Sequence, residues 1–291
     1  MIELIKKKKV AILGSGNIGT DLLIKTMRSN FLECILFAGR NLNSDGMQKA
    51  DQLGVKISDQ GIESIVKNID DIDIIFDATS AASHIKNWEI LKGFGKTIID
   101  MTPAKIGELC VPAINTNFII DSKARNVNMI TCGGQASLPI AHAIAEIHNE
   151  IEYIEVASSI ASRSAGPATR ANLDEYIETT EQAISKFSNA RAVKAILILN
   201  PANPPIDMQT TIYAKIINLD LEAIRNSVDK MIKRMIQYVP GYQLIVPPIL
   251  ENGKVMITVK VLGNGDYLPK YAGNLDIINC AAISVAEQVI C

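Results

Sequence analysis

The run Val10-Ala11-Ile12-Leu13 leads straight into Gly14-Ser15-Gly16-Asn17-Ile18-Gly19, after which Ile18, Leu22, Leu23 and Met27 recur at helical spacing. A buried strand, a glycine turn and an amphipathic helix in that order leave few folds open. In a G-x-G-x-x-G turn the first glycine permits a tight reversal, the second lets backbone approach a bound group, and the third lets helix and strand pack closely. The N–H groups that open the helix then face an anion, typically the pyrophosphate of a dinucleotide. The alternation continues downstream. Residues 34–38, 55–57, 72–76 and 97–99 read as strands, and Ile62, Ile65 and Val66 form a helical pattern before the fourth strand.

Such alternation predicts a parallel sheet wrapped by helices through right-handed crossovers, a Rossmann dinucleotide-binding domain. Beyond residue 132 the texture changes. A helix is expected over 137–148, then long strands at 151–158, 193–199 and 255–262, separated by helices over 172–187 and 220–238. The overall class is α/β, with a second, mixed-sheet α+β domain that, by fold analogy alone, is expected to carry catalysis and dimerisation. The expected division is 1–131 with 271–291 for the dinucleotide-binding domain and 132–270 for the other. Prolines in Asn200-Pro201-Ala202-Asn203-Pro204-Pro205 remove backbone donors and make that loop irregular. A last helix over 275–289 is expected to pack back on the first domain.

A formal charge of −2 and a pI near 6.0 give no electrostatic footprint for nucleic acid. No apolar run approaches the roughly eighteen residues of a membrane span. Lys6 to Lys9 lead into a strand without the apolar segment of a signal peptide. The five cysteines, Cys34, Cys110, Cys132, Cys280 and Cys291, never fall in a C-x-x-C spacing, so neither a disulfide framework nor a zinc site is indicated. A reducing, cytoplasmic setting is the expectation, with no metal.

NAD-specific units of this kind carry an acidic residue about 20 positions after the turn, at the end of the second strand, to hold the ribose 2′-hydroxyl. That corner here reads Gly39-Arg40-Asn41. Arg40 cannot accept from a ribose hydroxyl and can sit beside a 2′-phosphate, so the residues alone leave NADP open beside NAD.

One cysteine stands apart. Cys34 sits beside Ile35 and Leu36, and Cys280 beside Ala281 and Ala282, as ordinary core thiols do. Cys132 instead follows an apolar run and precedes Gly133-Gly134 at a strand-to-helix junction. Helix-terminal N–H groups there favour thiolate over thiol and can hold an oxyanion on an attacked carbonyl carbon. The expected hole is made by the N–H groups near Gly133 and Gly134. His142 and His148 fall too far along the following helix to touch the thiol. His84, after Ala78-Thr79-Ser80-Ala81, is expected to cap the next helix.

These residues, together with Asp77-Ala78-Thr79-Ser80, Ile99-Asp100-Met101-Thr102-Pro103, Thr131 to Ala136, Ser164 to Asn172, Asn200-Pro201-Ala202 and Ala272-Gly273-Asn274-Leu275-Asp276, give the chain a family resemblance. It resembles the acylating acetaldehyde dehydrogenases that work with 4-hydroxy-2-oxovalerate aldolase in aromatic-compound breakdown. The resemblance implies that Cys132 carries an acyl thioester and that coenzyme A accepts the acyl group from a short aldehyde. NAD is the implied oxidant. It further implies dinucleotide contacts from Gly14, Ser15, Gly16, Asn17, Ile18 and Gly19, from Ser164, Ala165, Gly166, Pro167, Ala168, Thr169, Arg170, Ala171 and Asn172, and from Asn274. A homodimer, and a complex with the aldolase, are implied as well.

The chain departs from that pattern in three places. Where the family carries Arg-Asp-Thr after a methionine, this chain has Met208-Gln209-Thr210-Thr211, leaving Asp207 as a candidate substitute from a shifted position. Asn203 replaces a family glutamate and Ala168 a family glycine. Two other readings stay open: a thiol-dependent semialdehyde dehydrogenase that makes an acyl phosphate, and an NAD-binding, non-catalytic partner of an aldolase.

Overall fold

The computed structural model of the chain describes residues 6–123 and 125–289. Cys291 and the outermost residues of the expected first domain lie outside them. Two compact units are present. One comprises the chain up to Cys110, Thr116–Met129 and the chain from Ala282 onward. The other comprises Val111–Asn115 and Ile130–Ala281.

The first unit runs β1 (Lys8–Leu13), α1 (Asn17–Arg28), β2 (Leu32–Ala38), α2 (Asp45–Gln52), β3 (Ile57–Ser58), α3 (Ile62–Lys67), β4 (Ile74–Asp77), α4 (Ala81–Leu91), β5 (Thr97–Asp100), β6 (Glu108–Leu109), the part of α5 (Pro112–Asp121) from Thr116 onward, and β7 (Asn126–Asn128). Its seven strands are all parallel, in the order β3-β2-β1-β4-β5-β7-β6. Val10, Ala11 and Ile12 in the interior strand β1 are wholly buried, as a strand covered on both faces requires. Ala11, Leu13, Leu36, Ile65, Ile75 and Ile98 share one apolar cluster. Strand order reverses between β1 and β4, and in doubly wound sheets that reversal opens a ligand crevice at the carboxyl ends of the strands. The glycine turn sits at the end of β1, on that edge. α5 changes direction at Asn115, whose φ of −138° and ψ of 20° are not helical.

The second unit contains α6 (Cys132–Ala145), β8 (Ile151–Ala161), α7 (Pro167–Ala171), α8 (Leu173–Ser188), β9 (Ala192–Asn200), β10 (Met208–Ile216), α9 (Leu221–Ile236), β11 (Tyr242–Glu251), β12 (Lys254–Val261) and the start of α10 (Gly273–Gln288). Its five strands lie in the order β11-β12-β10-β8-β9, with β8 and β9 parallel and the other pairs antiparallel. Period-two alternation buries Ile154, Val156, Ile212, Ala214, Ile257 and Val259 on one face. α6 packs over the middle strands β8, β10 and β12, with α8 and α9 beside it. The helix that Cys132 opens is therefore the one laid across the middle of this sheet.

Several elements differ from the expected ones. α6 starts at Cys132 rather than at residue 137, because Thr131 already supplies a cap, and it ends at Ala145 before His148. β10 and β11 were not expected. β11 carries Pro247 and Pro248, which fit because it is an edge strand, where absent N–H groups break no ladder. Among the described residues no helix is long and apolar enough to cross a membrane.

Candidate active site

Thr131 sets the geometry of the thiol. It has extended dihedrals, φ −147° and ψ 164°, and its Oγ1 accepts the Gly134 N–H at 2.9 Å, the N-cap arrangement. Cys132 is thereby the first helical residue of α6 and is half-buried. Its Sγ lies 3.6 Å from the Tyr176 hydroxyl, and the Gly133 N–H donates to that same hydroxyl at 2.9 Å. A Cβ on Gly133 would collide with the Tyr176 hydroxyl and come within 2.9 Å of Ser158 Oγ, so only glycine allows the tyrosine this close. Tyr242 Oη donates to the Ala136 carbonyl at 2.6 Å and fixes the next turn of the helix.

Burial pushes the Cys132 thiol above its ordinary value, while the Tyr176 hydroxyl and the Gly133 N–H pull it down. The expected oxyanion hole needs correction. The Gly133 N–H is engaged by Tyr176 and the Gly134 N–H by Thr131, so neither points to a substrate oxygen. Within that first turn the N–H of Cys132 faces its own sulfur. Cys34 and Cys110 are poor nucleophiles by comparison, since burial holds each at about 12.

Thr210, in the family's aspartate position, is buried on the inward face of β10 and faces Ser158 in register, with its Oγ1 3.0 Å from Ser158 Oγ. Asp207 does not take over that place. Its carboxylate pairs with Lys260 at 3.6 Å, and it shares the parity of the exposed Gln209. Asn203 is exposed in the proline loop.

Ser164 to Asn172 forms a knotted turn ahead of α8. Ser164 Oγ donates to the Ala161 carbonyl, and the Arg170 guanidinium donates to the carbonyls of Ala165 and Ser162 and to Ser162 Oγ. Gly166 and Pro167 open α7, which carries Ala168, Thr169, Arg170 and Ala171. The Asn172 carbonyl accepts the Tyr176 N–H at 3.0 Å, so this turn sits one helical turn from the residue touching Cys132. Asn274, in the first turn of α10, is buried, and its Oδ1 has no partner among the described residues.

In the first unit, Gly14 adopts a φ of +118°, and a Cβ there would stand 2.5 Å from the Ala78 carbonyl oxygen after β4. A Cβ on Gly19 would collide with the Gly14 carbonyl. Gly16 differs, since a Cβ on it would meet nothing within 4 Å. The chain's own packing does not ask for that glycine, and a pyrophosphate lying against the backbone would. Gly16 gives α1 no side-chain cap, so the helix start beside Asn17 and Ile18 fits an anion. Ser15 Oγ lies 3.3 Å from Ser44 Oγ. At the corner after β2, Arg40 is exposed and Asn41 accepts the Asn43 N–H.

The sequence did not mark a buried charge cluster behind this crevice. His84 does not cap α4; Ser80 does, accepting the Ser83 N–H, and His84 lies inside the helix with no solvent exposure. Its Nδ1 is 2.9 Å from Asp77 Oδ2 and its Nε2 3.3 Å from Asp100 Oδ2. Asn87 donates to Asp77, Asn128 donates to Asp100, and the Asn126 amide lies 3.2 Å from His84 Nε2. Burial works to lower the His84 value, but the carboxylates of Asp77 and Asp100 outweigh it and hold the imidazolium above its ordinary range. Burial pushes Asp100 up to about 7, with His84 opposing. The signal that could have found this cluster is a carboxylate ending each of two consecutive strands. The remaining histidines are structural: His142 Nδ1 lies 3.0 Å from the Phe187 carbonyl, and His148 Nε2 accepts the Asp220 N–H.

Comparison with known proteins agrees with both units. The family "Prokaryotic acetaldehyde dehydrogenase, dimerisation" matches residues 132–269, and "Shikimate / quinate 5-dehydrogenase" matches residues 1–121. An acetaldehyde dehydrogenase of Pectobacterium atrosepticum is 64% identical over 99% of this chain and 98% of its own length. One from Spirochaeta aurantia is 55% identical over 97% of this chain and 95% of its own. Aspartate semialdehyde dehydrogenase II from Vibrio cholerae, solved with ASA, shares the fold with a TM-score of 0.68 at 15% identity, covering 98% of this chain and 99% of that one.

Proposed function

The chain belongs to the acetaldehyde dehydrogenase family, and from that premise we propose that it oxidises acetaldehyde or a short homologue to an acyl-CoA through a thioester on Cys132. The observation that carries this reading is a half-buried thiol opening a capped helix, with a hydroxyl and an N–H arranged around it. The Cys132 thiolate attacks the carbonyl carbon, and the C=O pair moves onto oxygen beside the N-terminal end of α6, whose dipole favours the new charge. A bound nicotinamide dinucleotide supplies the acceptor for the hydride that leaves this carbon, so that the carbonyl re-forms as a thioester. Coenzyme A thiolate then attacks the thioester carbon and expels the Cys132 sulfur. Initial rates of nicotinamide reduction with acetaldehyde test this, with CoA and with phosphate as alternative acceptors. Acyl-CoA is the expected product. An acyl phosphate would favour the semialdehyde-type reading, and dinucleotide binding without turnover the scaffold reading.

NAD is the proposed oxidant, with Gly14 to Gly19 at its pyrophosphate and Ser164 to Asn172 and Asn274 as further contacts. The β2 corner holds no carboxylate to exclude a 2′-phosphate, and Arg40 is exposed there, which favours NADP as a second ligand. The expected result is measurable NADP binding by calorimetry. Arg40→Ala should weaken NADP about tenfold and leave NAD unchanged.

A homodimer is proposed through the outward face of the second unit's sheet, supported by the dimerisation family that matches it. Ile198 on edge strand β9 is 47% exposed on that face. Wild-type protein should scatter light as a dimer, and Ile198→Asp should scatter as a monomer. A dimeric Ile198→Asp protein would move the interface elsewhere. A reducing, cytoplasmic setting is proposed from the odd number and scattered spacing of the cysteines in the sequence. Acetaldehyde is reactive and diffuses away, so direct transfer from an aldolase partner would protect it; co-purification with 4-hydroxy-2-oxovalerate aldolase tests that complex.

A further inference from the structure

The protons around Cys132 can be assigned one by one. Thr180 Oγ1 donates to the Tyr176 carbonyl at 2.7 Å, and this uses its single proton. At 2.8 Å from Thr180, Thr131 must therefore be the donor of that pair. Thr131 Oγ1 in turn accepts the Gly134 N–H, and Tyr176 Oη accepts the Gly133 N–H. The Tyr176 O–H is left with one proton and two acceptors within reach, Cys132 Sγ at 3.6 Å and Thr131 Oγ1, and the sulfur takes it once it carries charge. A tyrosine that accepts from a peptide N–H and donates to sulfur is held in a single orientation. The nearest polar pair beyond it, Ser158 and Thr210, carries no ionisable group.

From this arrangement we infer that Tyr176 is a catalytic residue, the hydrogen-bond donor that holds Cys132 Sγ as a thiolate and aims it. The inference rests on Cys132 being the nucleophile proposed above. The thiol proton passes to water before the aldehyde is attacked, and Tyr176 keeps its own proton throughout. Burial, and then the charge on Cys132, hold the phenol well above its ordinary range, so it remains a donor at any working pH. Once the sulfur has bonded to carbon it is a weak acceptor, and the same O–H is released towards the new oxyanion. Gly133 is required for this, because its missing Cβ is what lets the hydroxyl reach the sulfur.

The test is the pH dependence of Cys132 alkylation by iodoacetamide, followed by mass spectrometry of the peptide carrying that residue. Tyr176→Phe keeps the ring and removes the donor. Its alkylation midpoint should move up by about one pH unit, making the reaction about tenfold slower at pH 7, since a hydrogen bond to a charged group contributes about that much. 3-Fluorotyrosine placed at position 176 is a stronger donor of nearly the same shape, and it should move the midpoint down; this variant keeps the test open should Tyr176→Phe fold poorly. Unchanged midpoints in both variants, with Cys132 still alkylated and still required for turnover, would overturn the role of Tyr176 alone. A Cys132 that is dispensable for acyl-CoA formation would overturn the underlying reading instead.

Discussion

Cys132→Ser should lower CoA-dependent acetaldehyde oxidation by at least about a thousandfold while leaving dinucleotide affinity unchanged. A serine hydroxyl ionises far above neutral pH, and nothing described around position 132 is a base able to take its proton. The contacts of Cys132 are a hydroxyl and backbone N–H groups, which stabilise an anion already formed without removing a proton from a neutral alcohol. The thiol needs no such base, since it is far more acidic than an alcohol and the Tyr176 hydroxyl and the backbone N–H groups favour its anion against the burial that opposes it. The replacement is nearly isosteric, so the Thr131 cap and the Gly133–Tyr176 contact should survive. The glycine turn belongs to the other unit, and its ligand affinity serves as the control for folding. Rapid mixing with acetaldehyde and NAD in the absence of CoA should give one equivalent of reduced cofactor with wild type and none with the variant. Turnover above a few per cent of wild type would remove the covalent thioester from the mechanism.

What could be read in the sequence follows from how local each demand is. Gly14 and Gly19 are required by contacts within the turn and with the strand beside it, so strand, turn and helix announce themselves together. The apolar run ending on Gly133-Gly134 marks Cys132 as a helix start, and the structure adds the Thr131 cap on the Gly134 N–H that begins the helix five residues before its apolar pattern does. Tyr176 had no such mark. It lies 44 residues from Cys132 on another helix, and only the packing of α8 beside α6 brings them together. The engagement of the Gly133 N–H is hidden from the sequence for the same reason, because the hydroxyl that accepts it comes from α8. Residue pattern alone does not announce β11, whose two prolines are tolerable only once its edge position is known. Asp207 looked like a neighbour of the missing aspartate by chain distance, but strand alternation turns it away.

The buried cluster around His84 leads to the other large effect. His84→Ala should destabilise the protein by about 3–5 kcal/mol at pH 7, since it leaves Asp77 and Asp100 buried with their shared counter-charge removed. Asp77 and Asp100 end adjacent parallel strands in direct register, so the backbone cannot separate them. Hydrogen bonds from Thr79, Asn87, Thr102 and Asn128 would remain, and they set the lower end of the range rather than cancelling the cost. The same cluster gives wild-type stability a sign with pH. His84 holds its proton more tightly folded than unfolded, so its contribution is complete below its ordinary value of 6.5 and is lost as pH rises through the folded value. Asp100 keeps its proton to about 7 when folded but only to its ordinary 3.8 when unfolded, so its cost grows across that interval as pH rises. Both changes lower stability in the same direction. Urea unfolding midpoints of wild type should fall steadily from pH 5.5 to 8.5, with most of the change near neutrality, and His84→Gln, which keeps a polar contact without the charge, should unfold more easily than wild type at the acid end. A flat wild-type profile, or a His84→Ala protein within about 1 kcal/mol of wild type, would mean that the cluster is neutral as folded and that the two carboxylates share a proton without help from the imidazole.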